Sequence, residues 1–243
     1  MLVLIGALLL SLVPGILLLF WLRKQNTEPG YNDTYKLALK YGFLSVFPVM
    51  GVAFLFSLLR ALLFPNLPVL AREAYSDFII AAFTEELVKF LLFRKVLKNS
   101  KYQYSWRDAA AFMIVVGVCF ELLESLVYAL QTNVGQILVR GVFMLHAGYA
   151  YIMGKYYGKA AATGKKGWYV FCFLAPFLLH GFYDYGLTPE LTEWNDNTVF
   201  ISVSLALFGL FLLIRMVLFF RRARTDETYT RPLYPQLEME KTE

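Results

Sequence analysis

Apolar residues run along this chain in blocks of about twenty, separated by short polar connectors. A bilayer core needs about 20 apolar residues per helix. Blocks that meet this need cover 2–22, 41–64, 75–97, 108–130, 134–157, 168–187 and 198–220. The pattern predicts an all-α, polytopic transmembrane bundle of about seven spans over residues 1–220. A polar tail at 221–243, too poor in apolar residues to form a core, reads as disordered. Pro14, Pro48 and Pro176 fall inside spans, where a proline kinks a helix without ending it. No internal repeat and no soluble domain are visible.

Composition excludes the other classes. Of 243 residues, 58% are hydrophobic and 17% charged, and the mean hydropathy is +0.54. Soluble domains carry about 25% charge, so a soluble enzyme, a disordered protein and a disulfide-rich secreted module are all ruled out. The net charge of +5 does not point to nucleic acid, because the basic residues lie in the connectors. The first connector holds Arg23, Lys24, Lys36 and Lys40. The third holds Arg94, Lys95, Lys98, Lys101 and Arg107, and the fifth Lys155, Lys159, Lys165 and Lys166. The tail adds Arg221, Arg222, Arg224 and Arg231. Arg72 stands in the second, only Arg140 near the end of the fourth, and acids (Glu190, Glu193, Asp196) in the sixth. The positive-inside rule then puts the odd connectors and the tail in the cytoplasm and the N-terminus outside. Cys119 and Cys172 sit within spans, which argues for packing and against a disulfide. Met1 to Trp21 lacks a basic leader and a small-residue cleavage site, so it reads as a retained span and not a signal peptide.

Ionisable residues inside the spans change the picture from architecture to chemistry. Each costs at least ~2.5 kcal/mol at mid-membrane and so marks a functional hypothesis. The third span carries Glu85, Glu86 and Lys89, the fourth Glu121 and Glu124, and the fifth Arg140 and His146. The sixth carries His180 and Asp184, and the chain has no third histidine. Residues three or four apart share a helix face, so Glu85 pairs with Lys89, and His180 with Asp184. Counting at ~1.5 Å per residue places Glu85 about ten residues from the outer end of its span, Glu124 about six, His146 about twelve, His180 about seven and Asp184 about three. The set converges on the outer half of the bilayer. Any one member has an ordinary structural reading, whether a neutralised pair, a satisfied core histidine or an interfacial arginine. Four successive spans with such residues at similar depth do not.

Convergent carboxylates and imidazoles are equipment for activating water. In one reading Glu85 and Glu86 act as general base and partner, with His146 and His180 stabilising an oxyanion. In the other, Glu124, His146 and His180 hold a zinc ion with an open water position. The chain has no HExxH. A proton-coupled transporter also uses Glu and His chains, but the absent repeat and broken-helix symmetry count against it. A non-catalytic scaffold for partner helices is the third class.

The motifs Glu85-Glu86-x-x-Lys89, Phe120-x-x-x-Glu124 with Tyr128, Arg140 before His146 with Gly154, and His180-x-x-x-Asp184 occur in this order. Together with Pro14-Gly15 and Glu28-Pro29 they resemble the PrsW-type intramembrane proteases from about residue 10 to 187. That family belongs to a wider group with the CAAX prenyl endopeptidases. Glu124 stands where those enzymes have His, and Asp184 where they have Asn, which favours the PrsW branch. The resemblance implies that Glu85, Glu86, Glu124, His146, His180 and Asp184 are the catalytic set. It implies a single-span membrane substrate in the lipid bilayer, an anti-sigma factor cut near the extracytoplasmic face. A prenylated or peptide precursor is the alternative substrate. Glu121, Ser125 and the displaced Gly117 depart from the family pattern in the fourth span.

Overall fold

The computed structural model describes residues 2–128, 143–188 and 198–233. Among these residues the chain is all-α, with no β-strand beyond an isolated bridge between Ser105 and Pro232. Its helices are α1 (Leu2–Arg23), α2 (Tyr31–Leu44), α3 (Val46–Leu63), α4 (Val69–Tyr75), α5 (Thr84–Asn99), α6 (Trp106–Tyr128), α7 (Leu145–Thr163), α8 (Gly167–Gly186) and α9 (Thr198–Arg222). A π-helical segment, Ser76–Phe83, joins α4 to α5 without a break. Gly6–Arg23, Tyr31–Leu63 and Trp106–Val127 are long and apolar enough to cross a membrane.

Helix α6 is the buried centre, in contact with α1, α2, α5 and α7. Its first turn is fixed by a reciprocal cap. The Ser105 amide and hydroxyl donate to Asp108 Oδ2 at 3.0 and 2.7 Å, and the Asp108 amide donates back to Ser105 Oγ at 3.2 Å. The α6–α7 pair packs through small residues. Ala150, Gly154 and Gly158 recur every four positions on α7, and a Cβ added at Gly117 of α6 would meet Ala150 Cβ at 2.6 Å and the His146 carbonyl at 2.8 Å. This spacing lets two backbones approach where lipid gives helices no hydrophobic reason to associate. The displaced Gly117 is therefore a contact point for the turn that carries His146. On the outside, α1 and α3 present Leu10, Leu17, Phe47 and Phe54 to the surroundings, Phe54 at 71% exposure. That is the surface of a membrane protein.

Two expectations need correction. The block 41–64 is not among them: Ser45, between α2 and α3, keeps helical dihedrals, and Tyr31–Leu63 runs through as one span-length stretch although Pro48 has no amide for the Leu44 carbonyl. Pro14 and Pro176 likewise sit inside continuous helices. The block 134–157 is broken at Met144, whose φ of 43° lies in the left-handed region that a non-glycine residue enters at a cost of about 1–2 kcal/mol. Finally, Arg221 to Leu233 are not disordered. Tyr229 packs on Trp106 at 4.6 Å, the Leu233 amide donates to the Tyr104 carbonyl at 3.1 Å, and Arg224 donates to Gln25 at 3.3 Å. Aromatic and backbone contacts, invisible in a polarity profile, hold this stretch.

Candidate active site

Four elements meet at one end of the bundle: the junction of the π segment with α5, the last turns of α6, the first turn of α7 and the last turns of α8. The Thr84 hydroxyl donates to the Ile79 carbonyl five residues back at 3.1 Å. This π winding lies immediately before Glu85 and Glu86, and such windings often accompany functional positions. Across from it, α8 approaches so closely that a Cβ at Gly181 would run into the Phe78 ring. That approach brings His180 over the two glutamates.

The ionisable side chains form one connected cluster. Lys89 Nζ lies 2.7 Å from Glu86 and 3.6 Å from Glu85, so its close partner is Glu86, three residues away, and not Glu85 as helical spacing suggested. Lys89 also donates to His146 Nδ1 at 3.0 Å and sits 4.5 Å above the Phe120 ring. An ammonium only donates, so His146 Nδ1 accepts and Nε2 carries the ring proton to Glu124, 2.8 Å away. His180 lies with Nδ1 3.1 Å from Glu86 and Nε2 3.1 Å from Asp184. The two imidazole rings stand 5.0 Å apart, edge to face. Glu85, Glu86, Lys89, His146 and His180 are all buried.

Glu85 Oε2 and Glu86 Oε2 are both buried without a hydrogen-bond partner. That of Glu85 lies 3.9 Å from His146 Nε2 and 4.0 Å from His180 Nε2. Donor atoms of Glu85, His146 and His180 all lie within 4.8 Å of one another. Ligand atoms around a tetrahedral zinc stand about 3.3 Å apart, so sub-ångström shifts would close this set. The donor types and the orphaned oxygen therefore fit a divalent cation. His146 would join it through Nε2 in its other tautomer, with the ring proton on Nδ1, which turns Lys89 from Nδ1 to Glu86 and frees Glu124 from its bond to Nε2. The carboxylate completing this group is Glu85, where the zinc reading of the sequence used Glu124. Glu124 lies instead against the outer side of His146.

A narrow cavity opens beside the cluster, lined by Glu121, Glu124, Ser125, Tyr149, Tyr183 and Asp184 together with the two histidines. Its free volume of about 20 Å³ admits a single water. Glu121 and Ser125, the departures from the family pattern, are thus part of the cavity wall. His146 sits at the start of α7, one residue after its first, and not a dozen residues down a span. Arg140 lies outside the described residues, as does the side chain of Tyr128. Sequence reasoning missed Tyr149 and Tyr183. A signal was present, since each follows a histidine by three positions, in His146-Ala-Gly-Tyr149 and His180-Gly-Phe-Tyr183.

A model described as the PrsW family intramembrane metalloprotease matches residues 34–224, a stretch that contains every residue of this cluster. Protease PrsW of Geobacillus kaustophilus is 28% identical over 229 residues, which cover 91% of this chain and 92% of that protein. Protease PrsW of Bacillus subtilis is 29% identical over 209 residues, 82% of this chain and 90% of that protein. Protease PrsW of Clostridioides difficile is 28% identical over 197 residues, 75% of this chain and 79% of that protein. No solved structure matches the chain.

Proposed function

Because the chain belongs to the PrsW family of intramembrane metalloproteases, we propose that it hydrolyses a peptide bond in a single-span membrane protein on the extracytoplasmic side. By the resemblance of its motifs, the substrate is an anti-sigma factor. The observation that carries the reading is Glu85 Oε2, a buried carboxylate oxygen with no hydrogen-bond partner, within 4.0 Å of two imidazoles that line a water-sized cavity. Such an oxygen costs about 1–3 kcal/mol of stability, which a chain retains for chemistry and not for folding.

Glu85, His146 and His180 would hold the cation, zinc by donor type. Such an ion polarises a carbonyl and lowers the pKa of a bound water. The remaining steps belong to the chain. Glu124 lines the cavity and takes the proton from the attacking water. The water oxygen bonds to the carbonyl carbon, and the carbonyl electron pair moves onto its oxygen. When the C–N bond breaks, Glu124 returns the proton to the leaving amine. Glu86 and Lys89 act behind this set. Glu86 orients His180 from Nδ1, and Lys89 pairs with Glu86. Asp184 lies 3.1 Å from His180 Nε2, the nitrogen that would hold the cation, and so stands beside the ion's position.

The orientation rests on charge. The cavity lies where α6 ends, α7 begins and α8 ends. The connectors at the opposite ends of these helices carry Lys101, Lys165 and Lys166. Positive-inside puts the basic end in the cytoplasm and the cavity in the outer half, with seven spans and the N-terminus outside.

The test is cleavage of a single-span substrate by purified protein in detergent, with both fragments sized by mass spectrometry. A cut in or just outside the outer half of the substrate's membrane segment is expected, where its helix unwinds at least cost. A scissile bond at the cytoplasmic end would sink the orientation. Full activity after chelation, with no metal bound, would remove the cation and leave Glu85 as the base.

A further inference from the structure

We infer that the Tyr149 hydroxyl is the hydrogen-bond donor that holds the carbonyl oxygen of the scissile bond as it gains negative charge. The assignment rests on the protease reading above and adds a residue that the shared motifs do not contain.

Tyr149 is 1% exposed, and among the described residues its hydroxyl has no hydrogen-bond partner. A buried tyrosine nearly always pairs its hydroxyl. Tyr149 belongs to the wall of the cavity that Glu124 and Asp184 also line. The ring is held on two sides. It stacks on His180 with centroids 5.1 Å apart and planes 20° from parallel, and meets His146 edge to face at 6.0 Å. It also belongs to the apolar cluster with Leu145, Tyr183 and Leu212. The phenol is thus rigidly placed through its ring while its polar end is left unspent. A phenol at neutral pH is a neutral donor. Among the cavity's polar groups, Glu124 and Asp184 are acceptors when ionised and repel a developing oxyanion. The oxygen needs a donor when the water adds to the carbonyl carbon, and the Tyr149 phenol is the hydroxyl held against both imidazole rings.

The separation of roles gives an unusual signature. A tyrosine that serves structure loses stability when its hydroxyl is removed. Here the hydroxyl satisfies nothing in the free protein, so its removal leaves folding unharmed. The experiment compares wild type, Tyr149→Phe and Tyr149→Ala on one purified single-span substrate, with kcat, KM and thermal melting measured for each. Tyr149→Phe keeps the stack, and should lower kcat by about 100-fold with KM within about twofold and a melting temperature equal to or above that of wild type. Tyr149→Ala should lose both activity and stability, because the stack on His180 goes as well. An unchanged kcat in Tyr149→Phe, with wild type active, overturns the assignment and leaves the protease reading intact. A lower melting temperature in Tyr149→Phe also overturns it, since the hydroxyl would then be bonded in the fold. A wild type that cuts no single-span substrate removes the protease reading, and the assignment falls with it.

Discussion

Asp108 and Glu124 stand in the first and last turns of one helix, α6, about 24 Å apart along its axis. Each belongs to a buried carboxylate cluster, and the two clusters are built differently. Both oxygens of Asp108 are filled by hydrogen bonds. Asn26 donates to it at 3.1 Å, Tyr102 at 3.1 Å, and Ser105 through its amide at 3.0 Å and its hydroxyl at 2.7 Å. Burial and the adjacent carboxylate push the Tyr102 phenol above its ordinary range, so it stays a donor. The node ties the connectors after α1 and α5 to the start of α6. At the other end, Glu85 and Glu86 each keep one oxygen, and Tyr149 its hydroxyl, without a hydrogen-bond partner. A carboxylate whose lone pairs are filled by its own fold has nothing left to offer a substrate. One left unfilled weakens the fold and is available for chemistry.

Removing the bare oxygen of Glu85 is the most damaging change to function. Glu85→Gln should lower cleavage by at least about 100-fold, whether Glu85 holds a cation or takes a proton. The melting temperature should not fall, and a stability loss equal to the activity loss would erase the contrast between the two ends.

Glu86→Gln should abolish cleavage too, but with a stability cost of about 3 kcal/mol, because it takes the close partner from a buried lysine. Denaturant unfolding of the two amide variants side by side would show the split. Equal stabilities would mean that Lys89 does not distinguish its neighbours.

Asp108→Ala should do the reverse at the other end. It should cost about 2–4 kcal/mol of stability, through the cap and the charged hydrogen bonds, while activity per folded molecule stays at the wild-type level. Loss of specific activity in the folded fraction would mean that the two ends communicate along α6.

The smallest effect is expected from truncation after Arg224. Loss of the Tyr229–Trp106 contact and the Leu233–Tyr104 hydrogen bond should cost about 1 kcal/mol. Cleavage should be retained, since these residues pack against the Asp108 end. A large loss of cleavage by this variant would make the docked tail part of the enzyme.

Much of the site could be read from the chain. Ionisable residues are costly in an apolar helix, so Glu85, Glu86, Lys89, Glu124, His146, His180 and Asp184 stand out against their surroundings. The i, i+4 pairing of His180 with Asp184 needs only one helix, and it is present at 3.1 Å. The all-α class follows from the length and apolarity of the blocks. The choice between Glu85 and Glu86 for Lys89 was not legible, because both lie on its helix face and the decision comes from His180 on α8 and His146 on α7. Nor was the depth of His146, since counting residues assumes an unbroken helix and Met144 breaks it.

The sequence by itself determined which ionisable residues stand in apolar helices and that the protein is helical and membrane-embedded, because burying charge in apolar helices is costly wherever the helices go. Only the tertiary structure decided which buried oxygens, among them Glu85 Oε2 and the Tyr149 hydroxyl, are left without a hydrogen-bond partner. It also decided that part of the tail docks. Those outcomes depend on contacts between helices far apart in the chain, where near-equal local alternatives are separated by a partner that no local pattern reveals.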